Sequence, residues 1–204
     1  MPHPYHGALA AQYADATWPA DLSALRARFI AALPARASGQ PRILDLGCGS
    51  GRDALAFSEA GFPVEAMDAS SDMARIAAER TGLPVAVGRA EELAVEAHYD
   101  GVWACASLLH VPMAGLADVF LRLRRALRPE GVLYASFKWG RGERTEGGLH
   151  FTDLTPESAE ALVRGTSGLR PEESWASEDT RPGRAGVVWL NLLARRSNEA
   201  SALG

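Results

Sequence analysis

A doubly wound α/β domain, a parallel sheet with helices on both faces, is predicted by three observations. Short apolar runs alternate along the chain with longer stretches of helical periodicity. A glycine cluster, Gly47-Cys48-Gly49-Ser50-Gly51, joins the first buried run directly to the first helix that follows it. The chain has 204 residues, 47% hydrophobic and 23% charged, which suits one domain with a full core rather than a disordered chain.

The elements follow in order. A polar arm precedes Asp21, which caps a helix whose apolar positions are Leu22, Leu25, Phe29, Ile30 and Leu33, and Pro34 with Gly39-Gln40-Pro41 ends it. Arg42-Ile43-Leu44-Asp45-Leu46 reads as a buried strand, and a helix from Arg52 to Ala60 stops at Gly61. Val64 to Asp68 is the second strand, Ser70-Ser71-Asp72 caps a helix from Met73 to Arg80, and Val85-Ala86-Val87 is a short third strand. Tyr99 to Cys105 is the fourth strand, Leu116 to Leu127 a helix, and Arg128-Pro129-Glu130-Gly131 a turn into a fifth strand, Val132 to Phe137. Lys138 to His150 holds four glycines and five charged residues and reads as a mobile surface loop. A helix with proline at its first position follows at Thr155-Pro156-Glu157, and Ser174–Ser177 pairs with Val187–Leu193 across Arg181-Pro182-Gly183. The divisions are a helical N-terminal extension over 1–40, a cofactor-binding half over 41–137, and a substrate-side loop, helix and terminal hairpin over 138–196, all within a single domain over 1–204.

Charge and composition narrow the function. A formal net charge of −4 gives no basic field for a phosphate backbone, which argues against a nucleic-acid partner. Two cysteines, Cys48 and Cys105, make neither a four-cysteine zinc site nor a secreted disulfide scaffold, and they read as small apolar residues. No apolar run spans a membrane and Met1-Pro2-His3-Pro4-Tyr5-His6 lacks the pattern of a signal peptide. A cytoplasmic protein without metal, membrane or nucleic acid, monomeric or homodimeric, is the expectation.

The glycine cluster is the first candidate site. Glycines between a strand and a helix let backbone N–H groups and the helix start approach a ligand, as in nucleotide-like cofactor sites. Asp68 ends the next strand about 20 residues on, where a carboxylate meets a ribose diol; a helix-capping aspartate is the plain alternative. The spacing of a dinucleotide fingerprint fails because Arg52 stands at its third small position, and no P-loop occurs.

The run Ile43-Leu44-Asp45-Leu46-Gly47-Cys48-Gly49-Ser50-Gly51 resembles the first motif of class I S-adenosylmethionine-dependent methyltransferases. Gly88-Arg89-Ala90-Glu91-Glu92-Leu93, Tyr99-Asp100-Gly101-Val102-Trp103 and Leu127 to Leu133 are similar to further motifs of that family in the same order. Phe137 to Gly142 with Glu143 looks like small bacterial generic or tellurite-resistance-related members. The resemblance, which runs from about Ala8 to Arg195, implies strand order 3-2-1-4-5-7-6 with strand 7 antiparallel, and S-adenosyl-L-methionine as cofactor. It implies that Gly47, Cys48 and Gly49 line the methionine part, that Asp45 receives the ammonium, and that Asp68 binds the ribose. Ala69 and Met73 would flank the adenine, Ala90 and Glu91 would read its edge, and Ala106 and Leu108 would close the pocket near the sulfonium.

Acceptor candidates are less defined. His110, just past the fourth strand, is either a base or acceptor contact or a histidine bonded to backbone beneath the cofactor. Lys138, Trp139, Arg141 and Arg144 stand in the loop that the family places over the active site, where Arg141 or Arg144 would clamp an anionic acceptor, or are simply solvated and packed there. Tyr13, with Tyr5, His6 and Trp18, belongs to an arm that either folds over the cofactor or merely docks the terminus. The Pro-Cys and Asn/Asp-Pro-Pro-Tyr signatures of base- and amide-methylating enzymes are absent, so the expected reaction is methylation of a small molecule. A non-catalytic S-adenosylmethionine-binding regulator and an NAD-type oxidoreductase on a related fold stay open beside it.

Overall fold

Strands form where the sequence places continuous apolar runs, and helices where its apolar residues recur at helical spacing. In the computed structural model, which describes residues 5–198, these are α1 (Gly7–Thr17), α2 (Ser23–Ala32), β1 (Ile43–Leu46), α3 (Arg52–Glu59), β2 (Val64–Asp68), α4 (Ser71–Thr81) and β3 (Val85–Val87). Then come β4 (Tyr99–Ala104), α5 (Met113–Ala126), β5 (Leu127–Lys138), β6 (Gly142–Glu146), β7 (Leu149–Asp153), α6 (Pro156–Gly165), β8 (Leu169–Glu178) and β9 (Val188–Arg196). The opening Met1-Pro2-His3-Pro4 read above for a signal peptide lies outside the described residues.

Among the described residues, seven strands make one sheet in the order β3-β2-β1-β4-β5-β9-β8. The first five strands pair in parallel, and β9 runs antiparallel to both β5 and β8. This is the expected order, with the last two strands in the places of 7 and 6. The chain leaves β1 toward β2 and β3 on one side and returns to β4 and β5 on the other, so a crevice opens between the carboxyl ends of β1 and β4.

Alternation along each strand divides the core. Leu44, Leu46, Val102, Ala104, Leu133 and Ala135 pack with α5 and α6 residues such as Phe120 and Val163. Ile43, Trp103, Val132 and Tyr134 face the other way, onto Phe29 of α2 and Phe57 of α3. Trp103 and Tyr134 stack at 3.9 Å and 12°. Gly101 makes room for α2: a Cβ there would stand 2.5 Å from Leu33 Cδ2 and 2.6 Å from Phe29 Cζ.

The caps follow the sequence. Asp21 Oδ1 accepts the Ser23 N–H at 2.8 Å, Ser70 Oγ accepts from Met73 N at 3.2 Å, and Thr155 and Ser158 form a reciprocal box at the start of α6. Gly82 closes α4 in the left-handed region, at φ 70°.

Three expectations are corrected. The stretch 138–150 is not a loop: β6 and β7 form a two-stranded hairpin. Its turn is Gly147-Gly148, both at positive φ (59° and 79°), and two such residues match the twist of a tight hairpin. Fifth-strand pairing begins at Leu127 rather than Val132, accommodating the turn as an irregularity opposite Tyr99–Gly101 with Glu130 at φ 65°. β8 likewise extends well beyond the four residues expected of it.

Candidate functional site

Gly47 follows the last residue of β1 at φ 73°, and the N–H groups of Gly47 and Cys48 both donate to the Met67 carbonyl, at 2.8 and 2.9 Å. The bend is therefore tied to the end of β2. A Cβ on Gly47 would lie 2.2 Å from Ser107 Oγ and 2.6 Å from its Cβ, so the β4 exit closes against this glycine. Gly47→Ala is expected to cost about 2–3 kcal/mol of stability, from the left-handed backbone and the displaced Ser107, read as a shifted urea midpoint at unchanged slope. Gly49 differs: at φ 55°, its Cβ would meet only Met73 Cε, at 3.9 Å, so the bend has a cradle on that side.

Asp68 ends β2 and is 7% exposed. Its Oδ2 accepts the Gly49 N–H and its Oδ1 the Ser70 N–H, both at 2.9 Å. The carboxylate so bridges the glycine bend and the start of α4, and each oxygen keeps a lone pair. Burial raises its pKa, against the two backbone donors and the nearby His110, which lower it.

Asp45 on β1 is 2% exposed, and its Oδ2 is buried without a hydrogen-bond partner. Burial, then the neighbouring Asp53 charge, pushes its pKa well above the usual carboxylate range, although the Ala54 N–H donates to it. A buried oxygen with no protein donor on a cavity wall fits a ligand that brings its own cation. Behind it, Asp53 accepts from Arg26 Nη1 (2.6 Å), Arg52 Nε (3.1 Å) and Nη2 (2.7 Å), and Trp103 Nε1 (3.2 Å).

Asp45, Gly47, Gly49, Asp53 and Asp68 border one cavity of about 720 Å³ at the sheet's switch point. Its wall includes every residue assigned above to the cofactor: Asp45, Gly47, Cys48, Gly49, Asp68, Ala69, Met73, Ala90, Glu91, Ala106 and Leu108. His110 and Tyr13 line it as well. Ala106 sits at φ 51°, with its N–H donated to Ser136 Oγ at 2.8 Å, a strained backbone position on the cavity wall.

His110 is oriented by the hairpin. Its Nδ1 lies 2.8 Å from the His150 carbonyl, which can only accept, so Nδ1 carries the proton and Nε2 is the acceptor nitrogen of the neutral ring. Thr152 Oγ1 donates to the Val111 carbonyl at 2.8 Å, and Glu143 Oε1 accepts the Met113 N–H at 2.7 Å. The β6–β7 hairpin is thus docked on the segment after β4, with Gly148, Leu149 and His150 on the cavity wall.

The N-terminal helix covers the opposite side. Ser70 Oγ donates to the Tyr5 carbonyl at 2.5 Å, the Gly7 N–H to Asp72 Oδ2 at 2.7 Å, and Arg80 pairs with Asp15. Ala10 and Ala14 pack on Met73 and Ile76, and the Tyr5 and Tyr13 rings lie 4.3 Å apart at the cavity.

Four acceptor candidates are not on that wall. Lys138 stands behind it, 3.7 Å from Asp179 and 3.6 Å from the Trp189 ring centroid, both partners being lining residues. Trp139 is 44% exposed, Arg141 is exposed, and Arg144 is held by Asp153, Glu146 and the Phe151 ring. For Arg144 the hairpin explains this: β6–β7 pairing sends alternate side chains away from the cavity, which a loose loop would not. Their place is taken by residues not singled out in the sequence, chiefly Arg181, Trp189 and Asn191 from the β8–β9 hairpin and Ser136 of β5. Burial pushes both thiols upward, Cys105 to about 12, so neither is a thiolate nucleophile at neutral pH.

Comparison with known proteins agrees with this geometry. Residues 43–131 match the family described as Methyltransferase domain. A Bacillus subtilis (strain 168) protein named as a methyltransferase, YqeM, is 30% identical over 108 residues, 48% of this chain, and the match spans only 44% of that relative. The structure of Burkholderia thailandensis 1,6-didemethyltoxoflavin-N1-methyltransferase, with bound 1,6-didemethyltoxoflavin and S-adenosylhomocysteine, superposes with a TM-score of 0.69 at 27% identity, covering 97% of this chain and 91% of that one. A Methanosarcina mazei structure described as a SAM-dependent methyltransferase shares the fold, with a TM-score of 0.72 at 17% identity over 88% of this chain and 100% of that one.

Proposed function

We propose that the chain is an S-adenosylmethionine-dependent methyltransferase that methylates a small-molecule acceptor in the cavity between the glycine bend and the β8–β9 hairpin, a reading that its Methyltransferase-domain match over residues 43–131 and its fold support. One observation carries the reading: the bend at Gly47–Gly49 and the Asp68 carboxylate are bonded to each other on the wall of one cavity that also presents the unpartnered Asp45 oxygen. A zwitterionic amino acid needs backbone donors and an acid, and a ribose diol needs a carboxylate acceptor, and these walls offer all three. Asp45 takes the ammonium, Gly47, Cys48 and Gly49 line the methionine chain, and Asp68 accepts from the ribose hydroxyls. Ala69 and Met73 flank the adenine, Ala90 and Glu91 meet its edge, and Ala106 and Leu108 close the wall near the reacting carbon.

When bound, the sulfonium supplies an activated methyl group and a good leaving group. The protein's work is then alignment and exclusion of water, worth on the order of 7–11 kcal/mol where orientation is complete. Tyr5 and Tyr13 cover one side and His150 with Leu149 the other. His110, its Nδ1 proton held by the His150 carbonyl, presents Nε2 as the base for an acceptor that must lose a proton. A small acceptor is supported by the size of the cavity and by the Burkholderia structure, which holds 1,6-didemethyltoxoflavin beside its cofactor product.

Calorimetry with S-adenosylhomocysteine tests the assignment. Asp68→Ala is expected to lose about 1.5–3 kcal/mol of binding, the scale of hydrogen bonds to a charged group. An affinity equal to wild type would remove Asp68 from the site.

A further inference from the structure

Resting on that reading, we propose that the acceptor end of the cavity selects a planar aromatic carboxylate, recognised by the outer edge of the Arg181 guanidinium. The geometry begins with Asp179, at the start of the β8–β9 turn, whose side chain is 3% exposed. Its Oδ1 accepts from Arg181 Nε at 2.9 Å and its Oδ2 from Arg181 Nη2 at 2.6 Å, while the Arg181 backbone N–H adds a third bond to Oδ1 at 3.1 Å. This is a side-on fork that fixes the plane of the guanidinium.

The end-on edge, Nη1 with the second proton of Nη2, has no protein acceptor among the described residues, although Arg181 is on the cavity wall and its side chain is only 18% exposed. An arginine so held is pre-organised: the second edge matches the two oxygens of a carboxylate at no further cost in side-chain freedom.

Charge and shape agree. Two cations share Asp179 here: Arg181 on the wall and Lys138 behind it, 3.7 Å from the carboxylate. Aromatic surfaces stand beside them in the lining: the Trp189 ring, capped from behind by Lys138, and the Tyr5–Tyr13 pair. Flat rings are what such walls hold best. The donor end, by contrast, is acidic at Asp45 and Asp68, so the two ends of the cavity have opposite preferences.

The test uses the full chain saturated with S-adenosylhomocysteine and a panel of aromatic monocarboxylates, benzoate, salicylate and 4-hydroxybenzoate, each beside its carboxamide, with binding followed by NMR titration. Wild type is expected to bind at least one carboxylate about tenfold or more tighter than its amide. Arg181→Met is expected to remove that preference, Arg181→Lys to keep part of it, and neither to change S-adenosylhomocysteine affinity by more than about twofold. Equal binding of acid and amide by wild type, a preference that survives in Arg181→Met, or a loss of S-adenosylhomocysteine affinity in that variant would each overturn the proposal. Wild type that binds no S-adenosylhomocysteine at all would instead bring down the cofactor reading and this one with it.

Discussion

Asp53→Ala is expected to lower the unfolding free energy by about 3–5 kcal/mol, the scale for removing one partner from a buried ion pair. The side chain is 7% exposed and accepts four bonds, from Arg26 on α2, Arg52 beside it on α3, and the Trp103 indole on β4. Its loss strands two guanidinium groups and an indole N–H in the space between the N-terminal helices and the sheet. At about 2–4 °C per kcal/mol for a chain of this size, the melting temperature should fall by roughly 6–20 °C. The Arg26 side chain has no other hydrogen-bond acceptor among the described residues, so adding Arg26→Met should recover part of the loss, a coupling that a double-mutant cycle in urea measures. A single-variant cost below about 1 kcal/mol would mean that the network is not structural. The consequence reaches the cavity, because Arg52 Nη1 also donates to the Thr17 carbonyl at the end of α1, at 2.8 Å. Thr17, Leu22 and Leu25 are lining residues that this network holds in place.

That network also shows where the sequence was legible and where it was not. The donor end is built from residues within a few positions of strand ends, at Asp45, Gly47, Asp68 and Ala106, and their placement follows from strand termini that apolar runs and glycines mark. Arg26, Arg52 and Asp53 sit far apart or adjacent in sequence with nothing to announce that they converge, since packing of α2 on the sheet decides it. The acceptor end is harder still. Glu146-Gly147-Gly148-Leu149 carries a tight-turn signal, but the glycine and charge content of 138–150 reads as a loose loop, which leaves Arg141 and Arg144 open to either an anion clamp or solvent; strand pairing instead sets Arg144 against Asp153. Arg181 reads in the sequence only as part of a turn, and the fold places it on the cavity wall beside Ser177, Glu178, Asp179 and Thr180.

Asp45→Asn is expected to separate stability from binding. In the free protein the carboxyl's pKa is raised by burial and by Asp53, so the folded state holds this proton more tightly than the unfolded chain does. Its contribution to stability is therefore present below the usual carboxylate range and lost as pH rises through the raised value. Above that raised value an unpartnered charged oxygen remains, and there the asparagine, which keeps an acceptor for the Ala54 N–H, should leave the free protein as stable as wild type or more so. Binding runs the other way. An ammonium beside Asp45 lowers its pKa, so between the lowered and raised values the free form is protonated, the complex is ionised and a proton is released. Affinity for S-adenosylhomocysteine should rise with pH across that window and level off above it. The amide removes the charge, at an expected cost of about 3–5 kcal/mol at neutral pH, because a buried ammonium then faces no anion. The pH slope should shrink without vanishing, since Asp68, also raised, titrates in the same direction. Calorimetry in two buffers of different ionisation enthalpy counts the protons. If the count and slope are the same in Asp45→Asn as in wild type, Asp45 does not meet the ammonium.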